Sequence, residues 1–428
     1  MKIQNVVIDG FKNLSNVEIK FNNITALVAL NNFGKSNVLS AIDFGLKFIK
    51  SNIENKSDMM ANRTLIPIHR DLLGRNYKFE IGGITEINQI EYDIVYGYEF
   101  SWQVNEEVSP VIISEYLKSK PRAEGQKYTQ LIKRNEKKAS YKSSETGRCS
   151  SLIIVENKEL VVNKLLAYDK IFYIDIIKDL NNMRFYMETH LDVKNCYCPN
   201  PIIRKGLEGM TIDVENLPRV MYQLKKNNPD LFELLKDVYR DLFPSVDDII
   251  IRKYEIRPPK PKKLPDEAPF IISDAIYLLF VKDRNLIEPI SFELMSDGAK
   301  RVFMILSRII LADIGNVSLI AIEEPENSVH PALFQSYVQI ISQLLDDCKI
   351  LITSHSPYIV NYLDPSWLHI GVNNESGVAK FYGLKKSGKN LLQKDAAAFK
   401  MSMGDYLFSL LSDEDKAIES YLECDIHE

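Results

Sequence analysis

The stretch Ala29-Leu30-Asn31-Asn32-Phe33-Gly34-Lys35-Ser36-Asn37 decides how the chain is read. It ends like a phosphate-binding loop, G-x-x-x-x-G-K-[ST], in which backbone N–H groups curl round phosphates, the lysine reaches them and the hydroxyl sits on Mg²⁺. Gly34, Lys35 and Ser36 fill the last three places, and Ala29 stands where the first glycine belongs. Upstream, Ile24 to Leu30 (ITALVAL) is a short apolar run of buried-strand type; downstream, KSNVLSAIDFGLKFIK has apolar residues at helical spacing. Strand, loop and helix are the context the motif demands. Asn32 suits a tight loop, since asparagine enters the left-handed backbone region more readily than most residues. The alternative is a chance Gly-Lys-Ser at a helix start, and Ala29 is the residue that favours it.

Far downstream, NVSLIAIEEPENSVHP supplies what such a loop needs next: an apolar strand, Val317 to Ile322, ending in Glu323 and Glu324. In P-loop enzymes the first acidic residue after such a strand serves the Mg²⁺ shell, and the second can orient or deprotonate the attacking water. An ordinary strand-to-loop junction with surface acids is the plainer alternative. Another strand, KILITS, ends at His355-Ser356-Pro357, on the edge where ligands of parallel α/β sheets bind. A lone histidine is usually structural; His355 is a candidate because its strand ends beside the other elements. In FELMSDGAKRVFMILSRIILADI, residues Ser296, Asp297 and Gly298 precede a long apolar-faced helix. That start suits an anion, and a plain N-cap accounts for it equally well.

Taken in order, the four elements resemble the ATP-binding-cassette (ABC) ATPase heads of the RecF, SMC and OLD (overcoming lysogenization defect) families. FGKSN matches their Walker A, MSDGAKR their signature, IAIEEPENSVHP their Walker B with D-loop, and ITSHSP their switch histidine. The resemblance covers residues 1–155 and 267–428 and leaves the segment between them outside. It implies an α/β, ABC-type P-loop ATPase head, a mixed sheet with an antiparallel β subdomain, carrying a helical insertion. It implies ATP and Mg²⁺ as cofactors, with Asn31, Asn32, Phe33, Gly34, Lys35, Ser36 and Asn37 on the nucleotide and Ser36 and Glu323 on the metal. Glu324 and His355 would be catalytic, and Ser296, Asp297 and Gly298 would complete the nucleotide site of a facing copy in a homodimer or higher oligomer.

Within that group the chain looks most like the OLD-like, AAA-type ATPases of bacterial phage defence and abortive infection, where EEPE followed by HP and SDG followed by KR are usual. OLD proteins proper carry a TOPRIM nuclease after the switch histidine, and residues 356–428 are too few for one. The likeness is therefore to a lone ATPase that works with a separate effector, a nuclease or toxin from an adjacent gene. A RecF- or SMC-like repair ATPase with nucleic acid as partner, and a non-hydrolysing scaffold, are the alternatives.

Composition bounds these readings. At 428 residues the chain exceeds the roughly 100–200 residues of a single domain. Hydrophobic residues at 45% and charged residues at 26% are ordinary for a globular protein, and a net charge of −5 gives no global footprint for nucleic acid. No run approaches the roughly 18 apolar residues of a membrane span and the N-terminus is no signal peptide, so a cytoplasmic protein without membrane contact is expected. The cysteines at 149, 196, 198, 348 and 424 are odd in number and scattered, which argues for reduced thiols; Cys196-Tyr197-Cys198 lacks the second pair a zinc site needs.

The organisation expected is an ATPase lobe at 1–155, a helical insert with a proline-rich loop at 156–266, and a second lobe at 267–428. KIQNVVI and NVEIKF read as a hairpin, and Lys78 to Val155 as an antiparallel meander in which the lysine-rich KRNEKKASYKSSETGR is a solvated loop. In PDLFELLKDVYRDLF, Leu231, Leu234, Leu235, Val238 and Leu242 form one apolar face, and no heptad is sustained, so a compact insert and not a coiled-coil arm is expected. DDIIIRKYEI, DAIYLLFVKD and IEPISFEL read as strands, and RPPKPKKLPDEAP as a linker. Asp413-Glu414-Asp415 after Ser412 reads as a helix start. Tyr406, Leu407, Leu410 and Leu411 make an apolar stripe that faces either a partner or the chain's own core.

Overall fold

The computed structural model describes all residues except 106, 169, 189–192, 194, 206–215, 257–267, 328, 346–347, 373–376, 414–417 and 424–428. The chain begins with β1 (Lys2–Asp9), β2 (Val17–Lys20), β3 (Ile24–Val28), α1 (Lys35–Lys50) and α2 (Ile53–Met60). A meander follows: β4 (Tyr77–Ile87), β5 (Ile90–Phe100), β6 (Ile112–Pro121), β7 (Thr129–Arg134), β8 (Ala139–Lys142) and β9 (Cys149–Ile153). Then come α3 (Val161–Leu165), α4 (Ile174–Asn182), β10 (Phe185–Glu188), β11 (Ile202–Arg204), α5 (Leu217–Asn227) and α6 (Pro229–Leu242). The chain continues through β12 (Val246–Glu255), β13 (Phe270–Ile272), β14 (Ala275–Asp283), β15 (Ile290–Ser291) and α7 (Asp297–Ile314). It closes with β16 (Leu319–Glu323), α8 (Pro331–Leu344), β17 (Lys349–Ser354), α9 (Pro357–Tyr362), β18 (Leu368–Gly371), β19 (Phe381–Gly383), α10 (Lys386–Ala398) and α11 (Met403–Leu411).

These elements form two compact units, one of Met1–Met187, Ser318–Glu324 and Lys349–Glu428, the other of Glu188–Val317 and Pro325–Cys348. The first unit holds an antiparallel sheet in the order β2-β1-β4-β5-β6-β7-β8-β9. Its hairpin β1–β2 and its meander follow the alternating pattern of their sequences. The lysine-rich segment is a loop only in part: residues 135–138 and 143–148 are irregular, but β7 ends in it and β8 lies within it, with Lys133 opposite Ser140 and Arg134 opposite Ala139. Alternation there was hidden because a strand with one wet face tolerates lysine at every outward position.

The other sheet of this unit runs β10-β16-β17-β3-β18-β19. Strands β16, β17, β3 and β18 are mutually parallel, and β19 returns antiparallel on β18. β3 is buried along its whole length, which is why its sequence reads as an unbroken apolar run. Helix α1 is buried on more than one side, and its aromatic face meets the meander: Phe48 stacks on Tyr98 and Phe100 at 5.0 and 4.8 Å. The hydroxyls of Tyr77 and Tyr98 donate to the carbonyls of Ala41 and Gly45 on that helix. Leu27, Leu319, Ala321 and Leu351 from the parallel sheet join the same core, so the P-loop helix is built into the centre of the unit.

In the second unit α5 and α6 pack with the sheet β12-β14-β15, and α7 packs with α6 and α8. The buried face of α6 is Phe232, Leu235, Val238, Tyr239 and Leu242; Leu234, expected inside, is 40% exposed. The two aromatics rotate the buried stripe because they carry the larger apolar area. Only Ile290–Ser291 of IEPISFEL is strand; Phe292–Leu294 turns as a 3-10 helix to enter α7. The insert at 156–266, expected to be helical, also contributes β10 and β11, short strands made by pairing and not by local pattern. The RPPKPKK loop lies outside the described residues. Among the described residues no helix is long and apolar enough to cross a membrane.

Candidate functional site

The P-loop leaves the buried end of β3 and enters α1 through Asn32 at φ 60° and Gly34 at φ 119°. Asparagine and glycine are the residues for which that backbone is accessible. No side chain caps α1, and no acidic residue lies in its first turn, so its N–H groups face the loop's concavity unneutralised. Lys35 folds back, its Nζ donating to the carbonyls of Ala29 at 2.8 Å and Leu30 at 2.9 Å. Asn31, Asn32 and Ser36 are exposed, while Phe33 is buried. Asn37 faces β1's neighbourhood: its Nδ2 donates to Asn13 Oδ1 at 2.8 Å and its Oδ1 accepts from Lys12 Nζ at 3.2 Å. Asn13 also donates to the carbonyl of Phe33. Sequence reading passed over Lys12 and Asn13, whose only signal was a polar turn between two strands.

Ala29 keeps an ordinary negative φ and is fully buried. The first glycine of the motif is therefore not demanded here by backbone angle.

The parallel register carries the other residues to the same edge. Glu323 lies opposite Thr353, and Ser354 opposite Val28, so β16, β17 and β3 end side by side with β17 in the middle. Glu323 Oε1 is buried with no hydrogen-bond partner among the described residues. A buried carboxylate oxygen without a donor is costly unless a cation meets it, so this residue fits a metal-side role. Glu324 has φ 49°, a left-handed backbone that a non-glycine residue adopts only when its surroundings enforce it. Its N–H donates to the carbonyl of Thr353 at 2.9 Å, and its Oε1 lies 2.6 Å from Nδ1 of His355. Both side chains are about a third exposed, so the pair opens to solvent and to a ligand. The C-terminal stripe supports this edge from behind. Tyr406, Leu407, Leu410 and Leu411 are buried and α11 packs on α9, the helix that follows His355. Gly404 N–H donates to Asn361 Oδ1 at 2.8 Å. Ser412, expected to start a helix, is the C-cap of α11 instead, and Glu414 and Asp415 lie outside the described residues.

Ser296, Asp297 and Gly298 belong to the second unit. Ser296 Oγ accepts from Ala299 N–H as the N-cap of α7, and Asp297 pairs with Lys300 at 2.8 Å. The start of α7 is pinned: Tyr197 and Tyr239 donate to the carbonyls of Lys300 and Ala299, and their rings cluster with Phe292 and Phe303.

Residues 174–361 match the model of the family described as AAA domain, putative AbiEii toxin, Type IV TA system. The chain has the fold of an ABC-type P-loop head, a mixed sheet with an antiparallel β subdomain. The match takes in Ser296 to Gly298, Glu323, Glu324 and His355, and also α5 and α6, which the sequence resemblance left outside; the P-loop itself precedes it. Among solved structures, the SMC head domain from Thermotoga maritima shares 13% identity over 90% of this chain and 100% of its own, with a TM-score of 0.44. An Smc head bound to the C-terminal winged-helix domain of ScpA shares 16% over 91% and 100%, at 0.47. An Smc head with an extended coiled coil, bound to the C-terminal domain of ScpA from Pyrococcus furiosus, shares 13% over 92% and 99%, at 0.43. The strand order and the loop geometry identify the fold, not these distant similarities. No curated protein matches the chain.

Proposed function

We propose that the chain binds and hydrolyses ATP and uses the cycle, as a homodimer or higher oligomer, to control a separate effector protein in bacterial anti-phage defence. The observation that supports hydrolysis best is the Glu324–His355 contact of 2.6 Å at the ends of neighbouring strands, next to the strand end that feeds the P-loop. In this reading Glu324 accepts the proton of the attacking water, and His355 holds its carboxylate in place from the other side. Lys35 exchanges the loop carbonyls for the β- and γ-phosphates, and the amides from Asn32 to Ser36 line the same oxygens. Ser36 and Glu323 would hold Mg²⁺, which would supply positive charge to the phosphates.

The effector role is supported by the family description, which names a toxin and a type IV toxin–antitoxin system, and by the resemblance to lone ATPases of defence systems. A cytoplasmic location and an effector encoded nearby belong to the same proposal.

Nucleotide binding is tested by titrating the full-length protein with ATP, with and without Mg²⁺. Lys35→Ala is expected to lose at least tenfold in affinity, of the order of one charge-assisted hydrogen bond to a phosphate. Glu323→Gln is expected to keep ATP binding and lose its Mg²⁺ dependence. A wild-type chain that shows no saturable binding at millimolar MgATP would remove the proposal.

A further inference from the structure

β18 lies beside β3 in parallel register, with Ile370 opposite Val28, so the next residue of β18, Gly371, stands level with Ala29. A Cβ added at Gly371 would fall 2.7 Å from the Cβ of Ala29 and 2.5 and 2.6 Å from two ring carbons of Phe33. Such distances lie well inside van der Waals contact, and overpacking of that kind shifts side chains and backbone. Gly371 shows no left-handed backbone, so glycine is required there for space and not for its φ. Phe33 has no room to retreat. Its ring is 8% exposed and meets Phe381 edge-on at 5.4 Å, and its carbonyl is held by Asn13.

We propose that Gly371 is the glycine the P-loop lacks at position 29, moved from the loop to the neighbouring strand. The space it leaves lets Ala29 and Phe33 pack inward against the β18–β19 hairpin, and that packing holds Asn32 to Ser36 in their phosphate-facing curve before any ligand arrives. Gly371, Phe381 and the side chain of Phe33 act as positioning groups: they pack the loop into place, and only the Phe33 backbone amide belongs to the phosphate-facing curve. The inference rests on the nucleotide reading of the loop for its consequence, and on geometry alone for its mechanism.

The test uses the full chain and two readouts: MgATP affinity, and backbone amide hydrogen exchange of residues 31–36 without nucleotide. Gly371→Ala is expected to weaken MgATP binding about 10- to 100-fold and to speed exchange in the loop, the range that overpacking by one methyl produces. Wild-type affinity and wild-type exchange in Gly371→Ala would overturn the proposal. If that variant does not fold, Phe33→Ala decides, since it unseats the loop without a clash: faster loop exchange sustains the proposal and unchanged exchange overturns it. A wild-type chain that binds no MgATP while Gly371→Ala still exchanges faster would sink the nucleotide reading and leave the buttress standing.

Discussion

Glu323 and Glu324 are neighbours in sequence and opposites in environment. One has a buried oxygen with no hydrogen-bond partner among the described residues; the other is bent out of line by a left-handed backbone and meets His355. Both were legible as a pair after an apolar strand, because two carboxylates at such a strand end are awkward to keep otherwise. Their division of labour was not, since it depends on a backbone angle that no local pattern encodes. His369 shows the reverse case, a titratable residue that sequence reading had no reason to notice. It is buried on β18 two residues before Gly371, its Nε2 accepting from Lys20 N–H and its Nδ1 without a partner among the described residues. Burial, with the Lys20 charge nearby, pulls its pKa down to about 4. The native state thus holds the neutral ring: its contribution is fully present above the unfolded value near 6.5 and is lost as pH falls toward 4, where the unfolded chain binds a proton and the native one does not. The loss should be on the order of 2–4 kcal/mol at full extent. Denaturant unfolding of wild type and His369→Gln at pH 7, 5.5 and 4 checks it: the variant should lose less stability on acidification, and parallel losses would contradict the assignment.

Among the elements, the strand–loop–helix of the P-loop and the two strands that end in Glu323 and His355 announce themselves, because buried parallel strands are continuous apolar runs with polar residues only at their ends. Elements made by pairing were hidden. β8 is rich in polar residues, and β10, β18 and β19 are only four, four and three residues long. The stripe of α11 was visible but its mate was not, since an apolar face does not name what covers it. Its mates are α9 and α10, and the packing on α9 makes α11 part of the support for His355. Leu407, fully buried, tests that element. Leu407→Ala should cost about 2–5 kcal/mol, as large-to-small changes in a core do, and it should lower ATP turnover more than ATP affinity because the P-loop is untouched. A variant with wild-type stability would show that α11 is not packed as described.

For the whole molecule, the motif set is divided. P-loop, Glu323, Glu324 and His355 lie in one compact unit and Ser296, Asp297 and Gly298 in the other. The resemblance to ABC heads implies that the second set serves the nucleotide of a facing copy, and two variants distinguish that from service within one chain. Lys35→Ala and Ser296→Arg should each abolish hydrolysis alone. Mixed in equal amounts, they should recover about a quarter of wild-type activity if each site is built from two copies, because half the dimers are then mixed and each mixed dimer keeps one intact site. No recovery, with exchange of subunits shown independently, would contradict composite sites.

In the proposed mechanism Glu324 turns a bound nucleotide over. Steady-state phosphate release and MgATP affinity, measured on wild type and Glu324→Gln together, test it most directly. The amide keeps the size of the carboxylate and removes its ability to accept a proton, so affinity should stay within about threefold while turnover falls about 10²- to 10⁴-fold, the usual worth of general-base assistance. Phosphate release at the wild-type rate in a Glu324→Gln chain that still binds MgATP would contradict the account.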